Sequence, residues 1–268
     1  MRSATVFGDL NCPASAQTSK FLLIAHRGGV VEGRFPDNSM AALQAALDRG
    51  YPALEVDVRE SRDGHAVMRH DRDLWAYYRD ERNVDELTWA ELRCLRTCGG
   101  QHRLLRFEEV VMTCKNKADL MVDLKPPHSR VFPALVEMIL RREGMLERTY
   151  IIGTPAARRH FAGKAFVGYS YAKLLVRLGT ERHARRRYFV FDEGRRLTDR
   201  RLRVATALQI KIIPSVNVFH YEENPVIARK PAVERAALVR AAARAEIERL
   251  KARGLCEFQI DPEFDRWF

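Results

Sequence analysis

The sequence predicts an α/β fold, a closed (β/α)8 barrel (a TIM barrel) with a small insertion between its second and third strands. Three observations carry this. The chain has 268 residues, 46% of them hydrophobic, which suits one barrel core better than two small domains. Short apolar runs recur at residues 22–27, 53–59, 118–125, 149–154, 164–170, 188–192, 211–219 and 256–261, each followed by a stretch that can be helical. Strands alternating with helices in this way build a parallel barrel. The gap from His70 to Ala118 is too long for one barrel helix with ordinary loops, so residues 71–117 are expected to form the insertion over one rim.

The helical stretches carry their own punctuation. Asp37 or Asn38 is expected to cap a helix through Ala41, Leu43, Ala46 and Leu47 that ends at Gly50. The clearest helix spans Ala232 to Arg253 and stops at Gly254, where a left-handed residue is needed. No repeat, low-complexity tract or linker interrupts residues 20–268, which read as one domain. Residues 1–19 are expected to be a flexible segment.

Lys and Arg outnumber Asp and Glu by 46 to 35, so the summed field draws anions toward any cleft it lines. Phosphate, lipid headgroup and nucleic acid satisfy that field equally. Much of the excess lies between Arg177 and Arg203, without regular aromatic interleaving, and reads as a solvated basic face rather than a nucleic-acid site. No stretch reaches the ~20 apolar residues of a membrane span, and the residues before Phe21 lack a signal peptide's apolar run. A cytoplasmic protein is the expectation. Cys12, Cys94, Cys98, Cys114 and Cys256 are odd in number and scattered, unlike a disulfide framework or a zinc site. Cys94 and Cys98 have the spacing of one helix face, where packing is their expected role.

The chemistry begins in the second strand. In Leu54-Glu55-Val56-Asp57-Val58, side-chain alternation puts the apolar residues on one face and Glu55 with Asp57 on the other. The carboxylates then point into the barrel, where unpaired charge is costly and something positive must sit between them. Met121-Val122-Asp123-Leu124-Lys125 repeats the pattern and adds Asp123 and Lys125. A buried ion-pair network with Lys125 as sole counter-charge is one reading. A divalent cation balances three acids more simply, and an all-oxygen set suits Mg2+ or Ca2+ rather than zinc. His26, ending the first strand, and His70, ending the run Val67-Met68-Arg69-His70, stand on the rim where barrel enzymes act, as candidate general acid and base. Arg27 offers a planar fork to phosphate oxygens.

His26-Arg27-Gly28, Pro36-Asp37-Asn38-Ser39, Glu55-Val56-Asp57, Asp63-Gly64, His70-Asp71 and Asp123-Leu124-Lys125 follow one another in this order. Downstream come Leu87-Thr88-Trp89-Ala90-Glu91-Leu92, Phe107-Glu108-Glu109-Val110, Val216-Asn217 and Ile260-Asp261. Taken together, residues 22–262 resemble the glycerophosphodiester phosphodiesterase family of barrel enzymes. The resemblance implies that Glu55, Asp57 and Asp123 hold one divalent cation, that His26 and His70 move protons, and that Arg27 and Lys125 neutralise the phosphate. Asn217 is expected either to bind substrate or to satisfy backbone at a strand end. Four departures bear on substrate. Asp37 and Asp123 stand where the family has Glu, each one methylene shorter. Pro214 replaces an aromatic residue before Val216-Asn217, and Leu74-Trp75-Ala76-Tyr77-Tyr78 runs where many relatives carry Arg and Thr.

The expected activity is metal-dependent hydrolysis of a small-molecule phosphodiester, joining glycerol, a polyol or a sugar to a second alcohol, by paired histidines. It yields a phosphomonoester and an alcohol. The alternative is a phospholipase D-like enzyme acting on lysophospholipid or sphingomyelin, against which Pro36-Asp37-Asn38-Ser39 and Lys125 weigh. A third reading is a non-catalytic barrel that binds phosphate, or nucleic acid through the arginine cluster.

Overall fold

A computed structural model describes residues 21–29, 35–180 and 187–268. The expected flexible segment at 1–19 lies outside these residues, as do Arg182, Arg185 and Arg186 of the basic stretch. In chain order the elements begin with β1 (Leu22–Ala25), α1 (Met40–Asp48), β2 (Ala53–Glu60), β3 (Ala66–Met68), β4 (Asp73–Leu74), α2 (Trp75–Tyr78) and β5 (Asp80–Asn83). They continue with α3 (Trp89–Leu92), α4 (Phe107–Cys114), β6 (Asp119–Leu124), α5 (Phe132–Arg142), β7 (Thr149–Gly153), α6 (Pro155–Phe161) and β8 (Phe166–Tyr169). The last are α7 (Tyr171–Thr180), β9 (Tyr188–Glu193), α8 (Asp199–Ala207), β10 (Lys211–Val216), α9 (Val218–Glu222), α10 (Pro225–Ala228), α11 (Ala232–Ala252) and β11 (Glu257–Ile260). The parallel strands β1, β2 and β6 to β11 alternate with helices as a (β/α)8 barrel. Each falls within an apolar run of the sequence or overlaps it to within a residue.

The described residues divide into two compact units, those within 27–167 and those within 21–26 and 168–268. In the first, β2 pairs in parallel with β6 so that Asp57 stands opposite Asp123. β6 then pairs with β7, and β7 with β8. Leu54, Val56 and Val58 are fully buried, as are Ala42, Leu43 and Ala46 of α1 and Phe132, Val136 and Leu140 of α5. At about 1.5–3 kcal/mol for each large apolar side chain taken from water, such faces hold the helices in place. Between residues 71 and 117 lie the antiparallel hairpin of β4 and β5 and the helices α2, α3 and α4. Leu74, Val84, Leu87, Leu92 and Leu104 there form an apolar cluster with Val67.

Helix α1 corrects one expectation. Its N-cap is Ser39, whose extended backbone lets Oγ accept from Ala42 N at 3.2 Å. Asn38, at φ 55°, lacks the extended geometry a cap requires, and its amide is used elsewhere. Cys94 and Cys98 do not share a helix face, because α3 ends at Leu92, and both are exposed rather than packed.

In the second unit β1 pairs with β11, β11 with β10, and β10 with β9, all in parallel. Helix α11 buries Val239, Ala243, Ile247 and Leu250 at helical spacing, and Gly254 follows at φ 84°. Within the basic stretch, Arg195 pairs with Glu193 and Glu223, and Arg196 with Glu193, so part of its charge is balanced locally. Among the described residues no helix is long and apolar enough to cross a membrane.

Candidate active site

The unit of residues 27–167 gathers six of the residues singled out by sequence. Alternation along β2 puts Glu55 and Asp57 on one face, and the β2–β6 register places Asp123 beside Asp57. One carboxylate oxygen from each of the three lies within 4.8 Å of the others. Lys125 Nζ reaches Asp57 Oδ1 at 2.9 Å and Asp123 Oδ2 at 2.7 Å. Asn38 braces Asp57 reciprocally: its Nδ2 donates to Asp57 Oδ2 at 2.9 Å and its Oδ1 accepts from Asp57 N at 2.9 Å. Burial by itself pushes the Asp57 carboxyl up, but the Lys125 ammonium and these hydrogen bonds prevail and hold it at about 2. Burial likewise opposes the charge on Lys125, and Asp57 and Asp123 reverse that, raising its pKa.

Gly153 on β7 shows how tightly Asp123 is seated. Its φ is 103°, and an added Cβ would fall 2.6 Å from Asp123 Oδ1, so only glycine fits without displacing the carboxylate. Arg27 is also held in the left-handed region, at φ 50° and ψ 42°. That conformation aims its N–H at Glu55, donating to Oε2 at 2.8 Å.

The Arg27 side chain faces His70. Its Nη2 donates to His70 Nε2 at 3.0 Å, and because a guanidinium cannot accept, the imidazole proton belongs on Nδ1. There it is donated to Asp71 Oδ1, 2.8 Å away. Burial lowers the His70 pKa, in keeping with a neutral ring whose Nε2 lone pair points at the arginine. His70 follows β3, which pairs antiparallel with β2 and so stands outside the parallel set.

Asp37 lies between two arginines, with Arg27 Nη1 at 3.5 Å and Arg69 Nη1 at 3.6 Å. Burial raises its pKa against the pull of Arg69. Arg69 is itself buried, donates to Asp71 Oδ2 at 3.1 Å and sits 4.9 Å from the Tyr77 ring centroid. Sequence reasoning missed these supports. The shortened Asp37 and the tyrosines after His70 were visible there as departures, but their pairing with Arg69 was not.

His26 and Asn217 belong to the other unit. His26 Nδ1 lies 2.6 Å from Asp261 Oδ1, and Asp261 Oδ2 accepts from Val218 N at 2.7 Å, which fixes the carboxylate against the ring. Asn217 is buried and donates through Nδ2 to Gln259 Oε1 at 2.9 Å. In the sequence Ile260-Asp261 reads as a strand end, and no local signal marks Asp261 as the group that orients His26.

A probable glycerophosphodiester phosphodiesterase of Mycobacterium tuberculosis is 41% identical over 80 residues, a segment that is 30% of this chain and 30% of the relative. A crystal structure of a glycerophosphodiester phosphodiesterase from Agrobacterium tumefaciens superposes with a TM-score of 0.70 at 17% identity, covering 91% of this chain and 98% of that one. A phosphodiesterase from Oleispira antarctica, solved with the product sn-glycerol-3-phosphate, superposes at 0.57 and 16% identity, over 91% of this chain and 95% of that one. These two likenesses establish the (β/α)8 fold.

Fold and carboxylate cluster together place the chain among (β/α)8 barrels that carry an acidic cluster able to hold a metal ion. Residues 26–255 match the model of the glycerophosphoryl diester phosphodiesterase family, and the chain belongs to that family.

Proposed function

We propose that this protein hydrolyses a phosphodiester in which glycerol, a polyol or a sugar is joined to a second alcohol, releasing a phosphomonoester. The observation that carries the reading is the juxtaposition of Glu55, Asp57 and Asp123 within 4.8 Å with the Arg27–His70 pair. Oxygen ligands of Mg2+ or Ca2+ stand at about 2.0–2.6 Å from the ion, so carboxylate oxygens at these separations suit a common centre. Three carboxylates against the single ammonium of Lys125 leave a double negative charge, which a divalent cation balances. When bound, such a cation supplies electrostatic stabilisation of charge building on the nonbridging phosphate oxygens.

The chain's own residues supply the rest. Arg27, with its planar fork, and Lys125 neutralise the phosphate. His70, neutral and with its proton on Nδ1, keeps Nε2 as a proton acceptor. His26, held by Asp261, is the complementary proton-handling group. Asn38 and Gly153 keep Asp57 and Asp123 in place. The sn-glycerol-3-phosphate complex of the Oleispira protein supports a glycerol phosphate moiety on the retained side of the substrate.

The test is a panel assay of the full chain on glycerophosphodiesters, sugar phosphodiesters and lysophospholipids, each with added Mg2+ or Ca2+. Turnover of glycerophosphodiesters or sugar phosphodiesters is expected. Turnover of lysophospholipids alone, or of nothing in the panel, overturns the proposal.

A further inference from the structure

Arg59 continues the row of Glu55 and Asp57 along β2, since residues two apart share a face of the strand. Its side chain is almost fully buried. Its bonds go to main chain: Nε and Nη2 donate to the His70 carbonyl at 2.9 and 2.6 Å, and Nη1 donates to the Pro126 carbonyl at 2.6 Å. The first carbonyl belongs to the residue whose ring meets Arg27. The second directly follows Lys125. One guanidinium therefore ties the loop bearing His70 to the loop leaving the β6 end that carries Asp123 and Lys125.

Backbone bonds already attach the start of each loop to β2, Arg69 N to Asp57 O at 3.1 Å and Lys125 N to Val58 O at 3.0 Å. Beyond those points the two segments have left the strands, and Arg59 holds the next carbonyl of each. A planar fork with donors on two edges can serve both at once, whereas a lysine ammonium in that space reaches one.

We propose that Arg59 is a positioning residue, fixing His70 relative to Asp123 and Lys125 so that the imidazole and the phosphate-neutralising groups keep one spacing. The inference rests on the proposed phosphodiesterase activity. Misplacement of a reacting group by about 1 Å costs on the order of 100-fold in rate, so the effect belongs in kcat. Arg59→Ala is expected to lower kcat at least ~30-fold while KM moves less than ~3-fold, and Arg59→Lys is expected to recover only part of the loss. Millimolar guanidinium is expected to raise kcat of Arg59→Ala several-fold by refilling the fork, with no such effect on the unaltered protein.

Hydrogen exchange on the same variants gives a readout independent of turnover. Exchange in residues 69–73 and 126–130 is expected to quicken together, with strands β6 and β7 unchanged. Unaltered kcat in Arg59→Ala, or a loss that appears equally in Arg59→Lys and resists guanidinium, overturns the positioning role. If the unaltered protein turns over none of the panel, the proposed function falls and the clamp is judged by exchange alone. Quickening in both loops then upholds it, and quickening in neither or in one refutes it.

Discussion

Arg27 Nη2 donates to His70 Nε2 across 3.0 Å while His70 Nδ1 is held by Asp71 at 2.8 Å, so the ring is locked in one tautomer with its lone pair toward the guanidinium. In the proposed reaction, a phosphate that engages Arg27 would free Nε2 to take up a proton. His70→Ala and His26→Ala are each expected to cut turnover about 100-fold or more, the size of losing a positioned acid or base. Thermal unfolding is expected to stay cooperative in both. Near-wild-type kcat in either variant removes that histidine from the reaction.

The carboxylate cluster makes a metal prediction. Chelators are expected to abolish activity and Mg2+ or Ca2+ to restore it, because Glu55, Asp57 and Asp123 otherwise leave charge that Lys125 alone does not balance. Asp57→Asn is expected to weaken cation binding at least ~10-fold, since loss of even a group that only supports a metal ligand costs about that much, as read by titration calorimetry. Full activity after exhaustive demetallation would falsify the metal assignment.

Stability is expected to depend on pH through Glu246, in α11. Its carboxylate is packed against Gly194, where an added Cβ would collide with Oε1, and burial raises its pKa from 4.5 to about 7. A group whose folded pKa lies above its unfolded one favours the fold most below the unfolded value. That contribution is lost as pH rises through the folded value. Wild type is therefore expected to lose stability relative to Glu246→Gln between about pH 4.5 and 7, by on the order of 3 kcal/mol in all. Urea unfolding at pH 5 and pH 8 measures it, and an identical difference at both pH values contradicts the assignment.

The last prediction concerns the attacking oxygen. A hydroxyl next to the phosphorylated carbon of the substrate is already held near phosphorus, which avoids much of the entropy cost of fixing a water. Substrates with that hydroxyl removed or methylated are expected to turn over at least ~10-fold more slowly, although their phosphate contacts persist. Phosphorus NMR is expected to reveal a cyclic phosphate with the intact substrate. Equal rates and no cyclic species would mean that water attacks directly.

By itself the sequence determined the barrel and named the candidates for its site. Period-two alternation in β2 and β6 set Glu55, Asp57, Asp123 and Lys125 on inward faces, because strand geometry is local and a side chain's face follows from its position alone. The ends of β1 and β3 likewise marked His26 and His70. The tertiary structure alone decided which groups meet. Asp261 reaches His26 from 235 positions away, Asn38 gives up the helix cap to brace Asp57, and Arg59, on a face the alternation did specify, spends its donors on two distant carbonyls. Such pairings depend on how strands register and loops return over the chain, and no local pattern encodes a partner so far along it. Periodicity fixes direction, whereas contact requires the fold.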